Sequence, residues 1–297
     1  MTWNDEHNSK IDPSDIKQEI TPINLQVHCC RYWKLTEWEF QNLSVPFWRI
    51  YYNTKQGANV SFENKKIELS ADKVLLIPPY TSFSTSLRAQ KLDRISGNRI
   101  HSFKEFSLLK EWGMVDHLFI HFNLGFQYDH LQPAIFEFGV DEPLQKLLDQ
   151  IRYSIIEEHR SLSFKQTLQI HSLITQLADR IPPERWKEKT TDSRVLKVIN
   201  YIDNHFSEPL TNDLLASKAV MAPNSFLRLF KLVTSSTLQQ FVQNKRIEKA
   251  ILMMHNQKST IDQIAEQCGF SDRQHFTKVF KRIVKIPPAQ YRKTQAM

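Results

Sequence analysis

Seven side chains in the last third of the chain have the types and spacing to read base edges. Arg273, Gln274, Thr277 and Lys278 fall on one face of a helix if the segment is helical. Fifty positions earlier, Asn224, Leu227 and Arg228 occupy the places of Gln274, Thr277 and Lys278. Arg and Lys match the two acceptors that guanine shows in a major groove, and Asn and Gln match the acceptor–donor pair of adenine. Lys231, Lys245, Lys281 and Arg282 stand near these faces as cations for phosphate, a contact that positions a protein without specifying sequence.

Such a face works only if its helix is held rigidly against a second one. Thr260 with Gln263, and Ser271 with Gln274, each have the spacing of a capping box, in which side chain and backbone close the first turn of a helix reciprocally. Between them lies Cys268-Gly269-Phe270. Gly269 is the only glycine after Gly139, and it falls where a tight turn needs φ > 0. Helix, glycine turn, helix is the pattern of a helix-turn-helix. Phe276 and Phe280, four apart, predict the buried face of the second helix.

The segment has an internal counterpart. Phe226, Arg228, Phe230 and Lys231 recur as Phe276, Lys278, Phe280 and Lys281, fifty positions on, whereas Ala216 matches Ala265 at forty-nine. One extra residue therefore sits near the second turn. A polar exposed face is what any surface helix presents, so one copy would say little; two matched copies are what two DNA-reading heads in one chain require.

The charge agrees. The 297 residues carry a net +7, but 192–297 holds 16 Lys/Arg against 8 Asp/Glu, leaving 23 against 24 in 1–191. A basic module joined to a neutral one is the expected asymmetry of a nucleic-acid binder. Hydrophobic content of 41% and charged content of 24% are those of a globular protein long enough for two cores. Apolar runs such as 74–77 and 250–254 are too short to cross a bilayer, and the polar, acidic start lacks the pattern of a signal peptide, so no membrane contact and a cytoplasmic location are expected. Cys29, Cys30 and Cys268 lack the spacing of a disulfide framework or metal knuckle.

Along the chain, 1–25 reads as a poorly ordered lead-in. Strands are predicted at 47–52, 60–63, 66–69, 74–77 and 117–122, short and punctuated as in a small barrel or sandwich, with 86–104 as a loop or long hairpin. After Pro133 the period becomes helical. Leu144, Leu147, Leu148, Ile151 and Ile155, then Leu168, Ile170, Leu173, Ile174 and Leu177, mark two helices that either cover the barrel or pair with another subunit. Residues 182–192 read as a linker. Helices follow at about 193–208, 212–219, 223–233 and 238–255.

At these residues the chain resembles the AraC/XylS family of bacterial transcription regulators. The family's Ile-x-x-Ile-Ala helix, Gly-Phe turn, Phe-x-x-x-Phe-Lys recognition helix and Pro-x-x-Tyr-Arg close are met by Ile261, Ile264, Ala265, Gly269, Phe270, Phe276, Phe280, Lys281, Pro288, Tyr291 and Arg292. Ala216, Arg228, Phe230, Lys231 and Arg246 to Ala250 match the preceding half. Lys285 and Pro287 stand where the family commonly has Gly and Ser/Thr, Ser235 replaces a usual Gly, and Ala222 replaces a capping Ser. Losing that cap costs on the order of 1 kcal/mol, which ranks the second head as the better reader.

The resemblance implies an α+β protein of two domains. The first, 1–181, is similar to the family's cupin-like β-barrel that senses an effector and dimerises, with following helices at about 141–181. After the 182–192 linker, an all-α DNA-binding domain spans 193–294, with two helix-turn-helix motifs at about 211–232 and 260–283. The implied partners are double-stranded DNA, RNA polymerase at activated promoters, a small-molecule effector and a second copy of the chain. Trp48, Tyr52, Tyr80 and Phe83 are candidates for an effector pocket, although aromatic core is the better default use of such residues. No cofactor is expected. His117 and His121 fall on one strand face roughly 13 Å apart, too far to share an ion, and are expected to be half-buried.

Two other functions compete. A DNA-targeted metal-dependent or repair enzyme with a cupin-like barrel would need a reactive Cys, a His/carboxylate cluster or a phosphate-cradling Gly loop, and the sequence shows none of them. An unspecific nucleoid or RNA-binding protein would show no preference over random duplex at matched salt.

Overall fold

The computed structural model describes residues 23–87, 94–100, 102, 105, 108–109, 114–126, 128–157, 161–186, 192–255 and 259–295. The lead-in expected over 1–25 therefore lies almost wholly outside the described residues.

The N-terminal half is organised round one strand of 18 residues, β1 (Gln26–Leu43). It pairs antiparallel with three others, which a strand of ordinary length could not do. Its sequence hides this length. The pairing register shifts between Leu35 and Glu37, so the inward residues are odd-numbered before the shift (Arg31, Trp33) and even-numbered after it (Trp38, Phe40). One extra residue in a strand exchanges its two faces, which erases a simple period of two.

The other strands are β2 (Trp48–Tyr52), β3 (Asn59–Phe62), β4 (Lys65–Glu68), β5 (Lys73–Ile77), β6 (Phe83–Ser86), β7 (Arg94–Arg99), β8 (Val115–Asn123) and β9 (Phe136–Gly139). Their order is β4-β3-β6-β1-β8-β2-β5-β9, with β7 also on β1, and each pairing is antiparallel. The sheet curls into a barrel-like shape. Its end strands are joined by side chains, since Lys65 on β4 forms an ion pair with Glu137 on β9. Of the segment read as a loop or long hairpin at 86–104, β7 is a strand and 88–93 lie outside the described residues.

β2 has two faces with different duties. Trp48, Ile50 and Tyr52 point away from the barrel interior into a core shared with two helices, α1 (Glu142–Glu157) and α2 (Phe164–Asp179). Leu144, Leu148 and Ile151 of α1, with Ile170, Leu173 and Leu177 of α2, are buried there. The helix pair thus covers the sheet. The opposite face of β2, carrying Arg49 and Tyr51, lines the interior.

The predicted linker begins as packed structure. Pro183–Arg185 form one 3₁₀ turn, and the Trp186 ring lies 5.9 Å from Trp48 and 5.8 Å from Tyr128. Residues 187–191 lie outside the described residues.

The C-terminal half is helical: α3 (Ser193–His205), α4 (Asn212–Lys218), α5 (Pro223–Thr234), α6 (Leu238–His255), α7 (Ile261–Gln267), α8 (Arg273–Val284) and α9 (Pro288–Gln295). α4–α5 and α7–α8 are the two heads and α6 joins them. The first head has its own core around Phe226, Phe230 and Phe241. The second head's core, around Phe276, Phe280 and Tyr291, runs on into the barrel interior.

Candidate nucleic-acid interface

The two turns are built alike. In the first, the Val220 N–H donates to Ser217 O and the Met221 N–H to Ala216 O, at 3.0 and 3.1 Å. In the second, the Gly269 N–H donates to Glu266 O and the Phe270 N–H to Ala265 O, at 2.9 and 3.0 Å. Each bond repeats at forty-nine positions, so the extra residue of the second copy enters after Phe270, at the cap of α8. The central residue is left-handed in both, at φ +55 for Val220 and +76 for Gly269.

Gly269 has a second reason to lack a side chain. A Cβ there would sit 2.5 Å from the carbonyl oxygen of Ser207, just beyond α3, so the second turn packs directly on the first half of the domain. Val220 meets no such limit, being 86% exposed.

The caps differ from the sequence expectation in one place. Thr260 and Gln263 make both bonds of their capping box. The cap of α8 is Asp272 rather than Ser271: its carboxylate accepts from the His275 N–H at 2.7 Å, while Ser271 Oγ donates to Asp272. Ionised Asp is the stronger acceptor and suits a helix N-terminus, which explains the displacement. The first recognition helix starts at Ala222 with no side-chain cap. Both recognition helices end on a left-handed residue that is not glycine, Ser235 at φ 58 and Lys285 at φ 72.

Asn224 and Arg228 on α5, and Arg273, Gln274 and Lys278 on α8, are exposed; Leu227 and Thr277 are partly covered, Leu227 by the first head's core. Arg273 Nη1 lies 3.1 Å from Asp262 on α7, both side chains being largely exposed. A pair so exposed is worth at most about 1 kcal/mol, which leaves the guanidinium able to exchange its partner. Lys231, Lys281 and Arg282 are also exposed, Arg282 donating to Gln243 on α6 at 2.6 Å.

Lys245 does not belong with them. Its ammonium lies 3.1 Å from Asp203 on α3 and 3.2 Å from Glu248, and only 16% of its side chain is exposed. Burial alone would lower its pKa, but the charges of Glu248, Asp203 and Asp129 outweigh it and hold the ammonium above the usual lysine range. The expected phosphate contact is corrected to an internal ion-pair network, because α6 turns this residue toward α3 and the barrel.

The candidate effector residues are also redistributed. Trp48 and Tyr52 lie on the helix-facing side of β2, with Trp48 Nε1 donating to Asp129 at 2.9 Å and the Tyr52 hydroxyl donating to Gln145 at 3.2 Å. Phe83 is barrel core. Tyr80 lines a cleft between the halves, beside Phe241 and Lys245. The cavity inside the barrel is lined instead by Arg31, Trp33, Trp38, Phe47, Arg49 and Tyr51, with Ile286 and Tyr291 reaching in from the C-terminal half. Strand parity could have found Arg49 and Tyr51, since they alternate with the two residues named. Nothing local to the sequence at Tyr291 announces the contact.

His117 and His121 both face this cavity and are almost fully buried, at 2% and 6%, rather than half-exposed. His117 Nδ1 lies 2.7 Å from Asn53 Oδ1, and burial pushes its pKa down to about 3, so the ring is neutral. Among the described residues, no three His, Cys, Asp or Glu are grouped to hold a metal ion, and no helix is long and apolar enough to cross a membrane.

The two halves touch in two places, one beside each head. The Phe126 and Phe241 rings are edge to face at 5.5 Å, joining the segment after β8 to the first head's core. α9 packs on β7, beside the cavity.

Two matched helix-turn-helix heads on a basic domain, joined to a curled antiparallel sheet, define a DNA-binding transcription regulator. Residues 215–294 match a family described as helix-turn-helix domain. The chain is 33% identical over 126 residues to the transposon Tn10 TetD protein of Escherichia coli, covering 42% of this chain and 91% of that one. It is 31% identical over 117 residues to the regulatory protein PocR of Salmonella typhimurium, covering 37% and 39%. This chain thus spans nearly all of TetD but under half of PocR. In fold it is similar to ToxT from Vibrio cholerae, with a TM-score of 0.56 at 12% identity over 91% of this chain and 98% of that one; a further ToxT structure holds an unsaturated fatty acid. The chain belongs to the AraC/XylS family of transcription regulators.

Proposed function

We propose that the protein is an effector-responsive regulator whose two recognition helices enter successive major grooves on one face of the duplex, about 34 Å apart. Asn224, Leu227 and Arg228 read bases for the first head, and Arg273, Gln274, Thr277 and Lys278 for the second. Lys231, Lys281 and Arg282 meet phosphate. The observation that carries this reading is the repeat of both turn hydrogen bonds at forty-nine positions, which presents α5 and α8 in the same way. Effector response rests on the two inter-half contacts: a molecule in the barrel can bias both heads, through Phe126–Phe241 and through Tyr291.

In this reading the chain acts in the cytoplasm without catalysing a reaction, forms a homodimer, and contacts RNA polymerase at the promoters it activates. The test is competition of the upstream region of its own gene against random duplex at matched salt. A preference of 10³-fold or more supports a sequence-reading regulator; equal binding would leave the unspecific alternative. Sedimentation of the free chain reports the dimer.

A further inference from the structure

Arg273 is badly placed for the stability of its own helix. It is the first residue of α8, where the aligned peptide dipoles present positive partial charge and favour an acid, not a cation. Its partner comes from the other helix of the head. Asp262, in the first turn of α7, holds a carboxylate oxygen 3.1 Å from Arg273 Nη1. The side chains of Arg273 and Asp262 are 56% and 60% exposed, so the pair adds little to the fold. It stands at one end of the face that carries Gln274 and Lys278. Nε and Nη2 of Arg273 make no bond to another side chain among the described residues.

The first head has the acid without the cation. Asp213 stands in the first turn of α4, forty-nine positions before Asp262, and is exposed. The place of Arg273, fifty positions back, is held by Pro223. An acid in the first turn stabilises either helix through its dipole, and that role needs no arginine. The contact across the two helices is what the second head adds.

A lone guanidinium on a DNA-facing helix is drawn to phosphate, which every duplex offers regardless of sequence. A carboxylate beside it offsets that attraction and is itself repelled by the backbone. Directional bonds to a base edge are kept. The carboxylate also takes one end of the planar fork, which leaves the Nε–Nη2 edge with two donors for guanine O6 and N7.

We propose that Asp262 is a positioning residue that makes Arg273 selective: it orients the guanidinium toward a guanine and keeps it from serving as a phosphate contact. This rests on the base-reading assignment of Arg273 above and names the residue that gives that reading its stringency. The second head then discriminates its guanine by a device that the first head lacks.

The experiment selects binding sites for the full chain from a duplex library of random sequence. Wild type, Arg273→Ala, Asp262→Asn, Asp262→Glu and Asp213→Ala are compared at one salt concentration, with anisotropy titrations of the selected site and of random duplex. Arg273→Ala is expected to lose a guanine preference at one position. Asp262→Asn should loosen the same position, lowering the discrimination there by about tenfold. It should also bind random duplex more tightly, with a salt slope steeper by about 0.9 as the freed guanidinium meets phosphate. Asp262→Glu keeps the carboxylate and should retain the guanine preference, and Asp213→Ala should leave that position untouched. Unchanged discrimination in Asp262→Asn overturns the proposal, and an equal loss in Asp213→Ala reduces Asp262 to a helix-stabilising acid and overturns it too. If Arg273→Ala costs no base preference, the base-reading assignment beneath fails instead, and a wild type that selects no sequence removes the regulator reading itself.

Discussion

Lys245 and Asp203 form a partly buried ion pair, 3.1 Å apart, that ties the helix between the two heads to the helix leading the first. Glu248, 3.2 Å from the same ammonium, makes it a triad. The network joins α6 to α3 inside the C-terminal half, a structural role that a phosphate contact would not fill.

Replacing Lys245 with Met leaves two carboxylates facing each other with little solvent. Stability measured by urea unfolding is expected to fall by about 1–3 kcal/mol, the range between exposed and fully buried pairs. The salt dependence of DNA binding should stay unchanged per molecule folded. A shallower slope of log K against log salt would restore Lys245 to the phosphate contacts.

Lys281→Ala is expected to behave the other way. It should weaken all duplexes alike and reduce the salt slope by about 0.9, one phosphate's worth. Arg273→Ala and Lys278→Ala should instead cost about 1–3 kcal/mol on the preferred site and little on random DNA. Anisotropy titrations at three salt concentrations distinguish the two patterns; uniform weakening by Arg273→Ala would make it a phosphate residue.

The two turns predict opposite responses to exchanging their central residues. Val220 is β-branched, left-handed and solvent-exposed, so Val220→Gly removes strain and loses almost no packing. A gain on the order of 1 kcal/mol is expected. Gly269→Ala adds a Cβ 2.5 Å from the Ser207 carbonyl at φ +76 and should destabilise by more than about 1 kcal/mol. Paired thermal melts of both variants test the claim, and a loss for Val220→Gly would contradict it.

Asp129 gives the fold a pH dependence. It accepts bonds from Trp48 Nε1, Asn123 Nδ2 and the Leu124 and Gly125 N–H groups. Burial is the largest effect on its carboxyl and raises it to about 7; the Leu124 bond opposes this, Glu248 adds to it, and Lys245 and Asn123 oppose it. In the unfolded chain the group titrates near 3.9. The folded state therefore holds the extra proton between about pH 4 and 7, and the associated stability is complete below about 4 and lost as pH rises through 7. Against Asp129→Asn, the wild type should lose on the order of a few kcal/mol across that window and run parallel above about pH 8. Urea midpoints from pH 4 to 9 measure it; parallel curves throughout would refute the raised carboxyl.

The heads were legible because their signals are local. A capping Thr with Gln three residues on, a glycine in a three-residue turn and two phenylalanines four apart each act within one or two helical turns. Asp272 took the cap from Ser271 by one residue, a competition between neighbouring acceptors that spacing alone does not rank. In the barrel, strands such as 74–77 were visible as apolar runs, while β1 was not, because its register shift reverses the inward face midway.

The sequence by itself determined the two helix-turn-helix heads, the basic half that carries them and the family to which they belong, since residue type and periodicity encode each one within short reach. Tertiary structure alone decided which cation is held internally: Lys245 and Lys281 are alike in sequence, but α6 turns the first toward Asp203 while α8 leaves the second in solvent. It also decided which residues line the barrel cavity. Arg49 and Tyr291 are separated by most of the chain, and the packing of α9 against the barrel brings them to one cavity. A contact made by closing so long a loop leaves no periodic trace in the sequence, because its free energy comes from surfaces that meet only after both halves have folded.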